Sequence, residues 1–257
     1  MLDVPSLTFT ALAPLPEVVP GTDLGALIAE RLTRAELATH ELCIVLVAQK
    51  IISKAEGRFV DLEAVEPSAR ARHLAALTHK DPRLVEVILA ESEEVVRAVP
   101  HVLIVRHRLG FVMANAGVDR SNVPAAGERE RVLLLPLDPD ASAARLRMAL
   151  LERLTARCAV IVTDSFGRPW RRGVTNVALG CAGLPALVDR RGERDRDGRA
   201  LEVTEVALAD ALAAGAGLVM GEAGEGRPVV LARGLRASAA ERNAAALLRP
   251  REEDLFR

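Results

Sequence analysis

Two short runs constrain this chain more than anything else in it: Leu42–Ala48 and Cys158–Val162, neither interrupted by a polar residue. Runs of this length, rich in Val and Ile, are too short for buried helices and read as buried strands. Each one empties into a dense polar segment. The first leads to Gln49-Lys50-Ile51-Ile52-Ser53-Lys54-Ala55-Glu56-Gly57, and the second to Thr163-Asp164-Ser165-Phe166-Gly167-Arg168-Pro169-Trp170-Arg171-Arg172. A carboxylate where a buried strand meets a loop is held by a rigid element yet can reach a cleft. A neighbouring hydroxyl adds a second hard oxygen, and clustered arginines suit phosphate or carboxylate groups. A strand end followed by a solvated turn explains the same residues equally well.

The rest of the chain alternates strands and helices. Residues 6–13 read as a strand, and Leu24, Leu27, Ile28 and Leu32 stripe a helix that Thr22 would cap. Phe59–Leu62 is a further strand, followed by helical patterns over Ser68–Thr78 and Pro82–Val96. Val102–Arg106 and Phe111–Ala114 pair through Leu109-Gly110, and Arg131–Leu137 is another strand. Leu146, Leu150 and Leu154, widened by Met148 and Leu151, mark a strong helix. Val174–Gly183 is apolar and interrupted by glycine, and Asp189–Arg199 reads as a charged solvent-facing turn. Thr204 and Glu205 would start an Ala-rich helix ending at Ala214. Gly215–Gly226 then reads as a helix stop and turn, Pro228–Ala232 as a last strand, and the tail from Ser238 as a helix. Hairpin-like and helix-separated strands together predict an α+β fold of mixed sheets with packed helices.

Composition excludes several functions. The 34 Lys+Arg against 35 Asp+Glu give no basic stripe for nucleic acid, and one Trp with no Tyr cannot build a base-stacking platform. No run is long and apolar enough to span a membrane, and the first residues carry no secretory pattern. The three cysteines, Cys43, Cys158 and Cys181, have no metal-type spacing and fit a reducing cytoplasm. The five histidines (His40, His73, His79, His101 and His107) have no ligand spacing either.

There is no Walker-type loop, no dinucleotide fingerprint following a strand, and no Gly-x-Ser-x-Gly elbow. What remains is acidic: Asp119, Asp164 and Glu222 each lie in a loop beside an expected strand. Oxygen-only donors of this kind suit magnesium or manganese. Lys54 reads as an ordinary solvated lysine or as a phosphate lysine.

Six blocks, taken in order, resemble the coenzyme F-420:L-glutamate ligase family. They are Leu15–Val18, Gln49–Gly57, Asn115–Val123, Pro136–Ala143, Thr163–Arg171 and Met220–Gly226. The resemblance implies a single ligase domain over 1–257, or two intertwined subdomains within it, a fold peculiar to the family and an intertwined homodimer. Some relatives carry a nitroreductase-like domain after this one; with the sequence stopping at Arg257, none is expected here. The resemblance also implies GTP-dependent condensation of L-glutamate onto the deazaflavin precursor F-420-0, followed by extension of a γ-linked tail. GTP would lie against Leu15, Pro16, Glu17, Val18, Gln49, Lys50, Lys54 and Asn122. The glycine-rich segment Met220, Gly221, Glu222, Ala223, Gly224, Glu225, Gly226 and Arg227 would complete its site. Two divalent cations, Mg2+ or Mn2+, are implied, one at Asp119 and Asp164 and one at Ser165 and Glu222, with K+ as a further candidate. Position 165 is Ser where many members carry Thr, which keeps the hydroxyl.

On chemical grounds Arg168 and Arg171 are candidates for acidic groups of the substrate, and Glu225 or water for the base. Three other readings share these residues: a metal-dependent phosphohydrolase, a non-catalytic nucleotide-binding regulator, and an amide ligase for another acid.

Overall fold

A computed structural model describes residues 6–34, 42–121, 130–235 and 240–254. In it the two apolar runs lie side by side. Strand β2 (Leu42–Ala48) pairs in parallel with β8 (Arg157–Arg168), placing Cys43 opposite Cys158 and Ala48 opposite Thr163. With β1 (Thr8–Ala11), β12 (Val229–Arg233) and β9 (Arg171–Ala182) they form a five-stranded sheet in the order β1-β12-β2-β8-β9. Only β2 and β8 are parallel neighbours; every other pairing in this sheet is antiparallel.

Strand alternation divides the core. Cys43, Val45, Val47, Cys158, Val160 and Val162 face α1 (Leu24–Thr33) and α5 (Pro139–Arg153). Ile44, Leu46, Ala159 and Ile161 face α6 (Leu208–Met220). Ile44, Leu46 and Ile161 are fully buried, each contributing about 1.5–3 kcal/mol from apolar surface removed from water. The opposite end of β2 turns directly into α2 (Gln49–Ala55).

A second layer contains β3 (Phe59–Asp61) paired with β7 (Arg131–Leu133), and β4 (Ser92–Val99), β5 (Val102–His107) and β6 (Val112–Ala114) in order. Helices α3 (Ala69–Thr78) and α4 (Pro82–Ala90) pack on it through Leu74, Val85 and Ile88. The Phe111 and Phe166 rings meet edge to face at 6.1 Å and join this layer to β8. A small ribbon, β10 (Leu187–Asp189) with β11 (Glu205–Ala207), carries the charged 189–199 segment.

The structure corrects several sequence expectations. Asp23, not Thr22, caps α1, because the Thr22 hydroxyl is committed to Val19, donating to its carbonyl and accepting from its N–H. The polar segment after β2 is helical. The pattern over Pro82–Val96 ends at Ala90; Ser92 onward pairs with β5, and that long-range pairing overrides the local helical period. The Arg131–Leu137 strand is paired only to Leu133. Met148 is exposed rather than part of the α5 core face. Glu205–Ala207 is a strand, and α6 runs from Leu208 to Met220, through two glycines that read as a stop. Both are packing glycines: a Cβ on Gly215 would lie 2.5 Å from the Phe9 ring, and one on Gly217 2.6 Å from Asn176. The true stop is Gly221, at φ +78. Ser238 lies outside the described residues, and the described tail holds two 3-10 turns, Ala244–Leu247 and Arg251–Glu253, instead of a helix.

The largest correction concerns the Thr163–Arg172 stretch. Its carboxylate is not in a loop: β8 continues through Asp164 and Ser165 to Arg168 and turns at Pro169-Trp170 into β9. Trp170, at φ +62 and 87% exposed, stands at the tip of this hairpin arm.

Candidate active site

Strand β2 stops at Ala48 while β8 runs on, so beyond Thr163 one edge of β8 has no strand paired to it among the described residues. The strands β1, β2 and β8 all run toward this end of the sheet, although only two of them touch. Ligand sites commonly form beyond the carboxyl ends of parallel strands. Here a cleft of about 470 Å³ opens there.

Six parts of the described chain reach it. Leu15, Pro16, Glu17 and Val18 follow β1; Gln49, Lys50 and Lys54 lie on α2; Asp119 and Ser121 come from the second layer; Thr163, Asp164 and Ser165 lie on β8; Asn176 lies on β9; and 220–228 links α6 to β12. The last segment is anchored where the Ala48 N–H donates to the Pro228 carbonyl at 2.8 Å. Lys50 and Lys54 share a face of α2 because they are four residues apart, while Ile51 and Ile52 hold that helix to the core. Asp119 is pinned by two backbone hydrogen bonds with Leu133, at 2.8 and 2.9 Å.

The charges in the cleft are unevenly matched. Lys54 is buried and its ammonium lies 2.6 Å from the exposed Glu17 carboxylate; Lys50 lies 2.6 Å from Asp119. Burial works against the charge on Asp119, but Lys50 and the Ser121 amide and hydroxyl outweigh it and hold the carboxyl below its ordinary range. Asp164 goes the other way. The residue keeps some surface on the cleft, yet protein surrounds its carboxyl, and this burial, reinforced by Asp119 and Glu222, pushes it up to about 7. The Ser165 amide and Lys50 only partly offset that rise.

Two residues to which the sequence assigned no site role also line the cleft. Thr163 and Asn176 are buried, and among the described residues their Oγ1 and Oδ1 atoms have no hydrogen-bond partner. Asn176 stands opposite Ser165 on β9. The signal for Asn176 in the sequence was an amide at the start of the largely apolar Val174–Gly183 run. Unpartnered buried oxygens are costly. Together with Asp119, Asp164, Ser121 and Ser165, they make a donor set of carboxylates, hydroxyls and amide oxygen that fits a hard cation. Among the described residues, no three of His, Cys, Asp and Glu gather as a cage of their own, so such an ion would draw on the hydroxyl and amide oxygens as well.

The other expected residues divide. Glu222, Ala223, Gly224, Glu225, Gly226 and Arg227 line the open side of the cleft, with Met220 and Gly221 behind them. The Glu225 carboxylate folds back over Gly221 and accepts the Ala223 N–H at 2.8 Å. Backbone N–H groups of Glu225 and Ala223 hold it below its ordinary pKa, which makes it a weaker base. Arg168 does not line the cleft; on the hairpin arm its guanidinium donates to the Arg172 carbonyl at 3.2 Å. Arg171 is likewise exposed on the arm. Gln49 is buried and accepts from the Ser53 hydroxyl at 2.9 Å. Asn122 lies outside the described residues.

Known proteins share this arrangement of sequence. Residues 13–234 match the model of a family described as F420-0:Gamma-glutamyl ligase. A protein of Methanopyrus kandleri named coenzyme F420:L-glutamate ligase is 48% identical over 245 residues, covering 94% of each chain. A protein of the same name from Methanothermobacter thermautotrophicus is 45% identical over 248 residues, 95% of this chain and 96% of the relative. One from Methanocaldococcus jannaschii is 45% identical over 215 residues, 83% and 84% of the two chains.

Proposed function

This chain belongs to the F420-0:gamma-glutamyl ligase family, and from that premise we propose that it joins L-glutamate to F-420-0 and extends the γ-linked tail at the expense of GTP. The observation that carries this reading is the convergence of six separate segments, two lysines and an oxygen-rich donor set on one cleft.

A carboxylate and an amine do not condense unaided in water, so the carboxylate must become an acyl donor. In the proposed sequence a carboxylate oxygen of F-420-0 attacks the γ-phosphorus of GTP. The bond to the β–γ bridging oxygen breaks, giving an acyl phosphate and GDP. The glutamate amine then attacks the acyl carbon, the bond to phosphate breaks, and the amine proton leaves to water. Glu225 is the lesser candidate for that proton, since its carboxylate is already satisfied by its own loop.

Lys54, held in a buried position on α2, would meet phosphate oxygens, and the 221–227 backbone can approach the nucleotide closely. Asp119 and Asp164 would hold one Mg2+ or Mn2+, and Ser165 and Glu222 a second. Bound there, these ions would neutralise phosphate charge and polarise the reacting oxygens. Thr163 and Asn176 offer further oxygens on the same wall. Arg168 and Arg171, on an arm that projects from the sheet, would serve in a homodimer, where the arm has a second chain to meet.

The deciding assay incubates the protein with F-420-0, GTP, manganese and glutamate and reads products by mass spectrometry. A glutamyl increment with one GDP per product is expected, and hydroxylamine in place of glutamate should give the F-420-0 hydroxamate. Phosphate release without a glutamyl increment would identify a phosphohydrolase. GMP and pyrophosphate would exclude the acyl phosphate route.

A further inference from the structure

The Asp119 carboxylate divides its two oxygens. Oδ1 accepts the Ser121 N–H at 2.7 Å and the Ser121 hydroxyl at 2.8 Å, while Oδ2 faces the Lys50 ammonium at 2.6 Å. With its proton committed to Asp119, the Ser121 hydroxyl presents lone pairs to the same ammonium, at 2.8 Å, and the Ser121 carbonyl stands at 3.0 Å. An ammonium has three protons, and three oxygens receive them. Lys50 therefore has none left for a phosphate as it stands. Its ammonium sits as a cation would, inside a cup of one carboxylate, one hydroxyl and one carbonyl oxygen.

We propose that Asp119 Oδ2, Ser121 Oγ and the Ser121 carbonyl form a cation seat, that Ser121 is a cation ligand beside Asp119, and that Lys50 occupies the seat until nucleotide phosphate draws it out. The proposal rests on the reading that this cleft works with nucleotide and a divalent cation. Three features support it. The donors are the hard oxygens that Mg2+ and Mn2+ prefer. Lysine is a point charge on a flexible stem, and Lys50 keeps about a quarter of its side chain exposed, so it has room to leave. The same cleft is lined by the Thr163 and Asn176 oxygens, which have no hydrogen-bond partner among the described residues, so it holds further oxygens for a cation.

The arrangement couples two ligands. A cation arriving alone must displace Lys50, whereas bound phosphate gives Lys50 another partner and frees the seat. By reciprocity the cation then favours the nucleotide.

The test measures Mn2+ binding to the whole chain without nucleotide, from the paramagnetic resonance signal of free Mn2+. Lys50→Met should bind Mn2+ at least about tenfold tighter, as a competing charge has left the seat. Lys54→Met removes the same charge from the same helix, but its partner Glu17 is outside the seat, so its Mn2+ affinity should match the parent's. Adding Ser121→Ala to Lys50→Met should cancel the gain. An unchanged or weaker affinity in Lys50→Met overturns the proposal, as does an equal gain in both lysine variants, which would reflect overall charge alone. Glutamyl transfer by the parent chain, alongside an unchanged affinity in Lys50→Met, would remove the seat and leave the ligase reading standing. No Mn2+ binding by the parent chain even with GTP would remove both.

Discussion

A side-chain carbon on Gly217 would stand 2.6 Å from Oδ1 of Asn176. Helix α6 thus carries a glycine in its interior, at a cost of about 1 kcal/mol relative to alanine, and the space goes to an amide in the cleft wall. That amide oxygen has no partner among the described residues, which costs about 1–3 kcal/mol more. Stability is forgone twice at one point, and that point adjoins Ser165.

Asn176→Ala should therefore raise the free energy of unfolding by about 1 kcal/mol while reducing turnover. Gly217→Ala, which leaves Asn176 in the sequence but displaces its amide, should reduce turnover as well. Denaturant titration and rate measurement check both. A destabilised Asn176→Ala with full activity would make the amide a packing group.

Asp164→Asn should keep the fold, because its backbone is paired with Val177 on β9 and the amide removes a charge that burial already disfavours. Losing a ligating charge should lower turnover roughly a thousandfold. Near-normal rates at saturating manganese would exclude Asp164 as a ligand.

Lys54→Ala should weaken GTP binding roughly a hundredfold, with little change in stability, since its partner Glu17 is largely exposed and returns to water. Calorimetry showing unchanged GTP affinity would reduce Lys54 to a structural ion pair.

Glu91 sets an acid limit. Burial would raise its carboxyl, but His107, Arg108 and Arg58 outweigh that and lower it from 4.5 to about 2. A folded pKa below the unfolded one gives stability that is present above about 4.5 and lost as pH falls toward 2. Glu91→Gln should cost about 3 kcal/mol at neutral pH and flatten the stability profile in that window, as seen by thermal unfolding across pH.

The sequence made the central strands legible because Leu42–Ala48 and Cys158–Val162 have no polar residue to face water, whatever surrounds them. Asp119, Asp164 and Glu222 were visible as chemistry because charged residues beside buried strands are conspicuous, and all three do neighbour one cleft. What was hidden depended on partners far along the chain. Gly215 and Gly217 look like a stop until Phe9 and Asn176 are placed against them. Asp164 looks like a loop residue until β9 pairs beside it, and Ser92–Val99 looks helical until β5 claims its hydrogen bonds. Ser121 lay inside the Asn115–Val123 block but was not singled out, since its contact with the Lys50 ammonium spans 71 residues of chain.

The hairpin arm also makes the protein an unusually simple optical object. Trp170 is the one tryptophan and there is no tyrosine, so nearly all near-ultraviolet emission originates at the arm tip, in water. The folded chain should emit at the long wavelength of a solvated indole, and unfolding the core should barely move that maximum. A shift to shorter wavelength would report something covering the arm, such as a second chain. Fluorescence here is a probe of encounter rather than of folding.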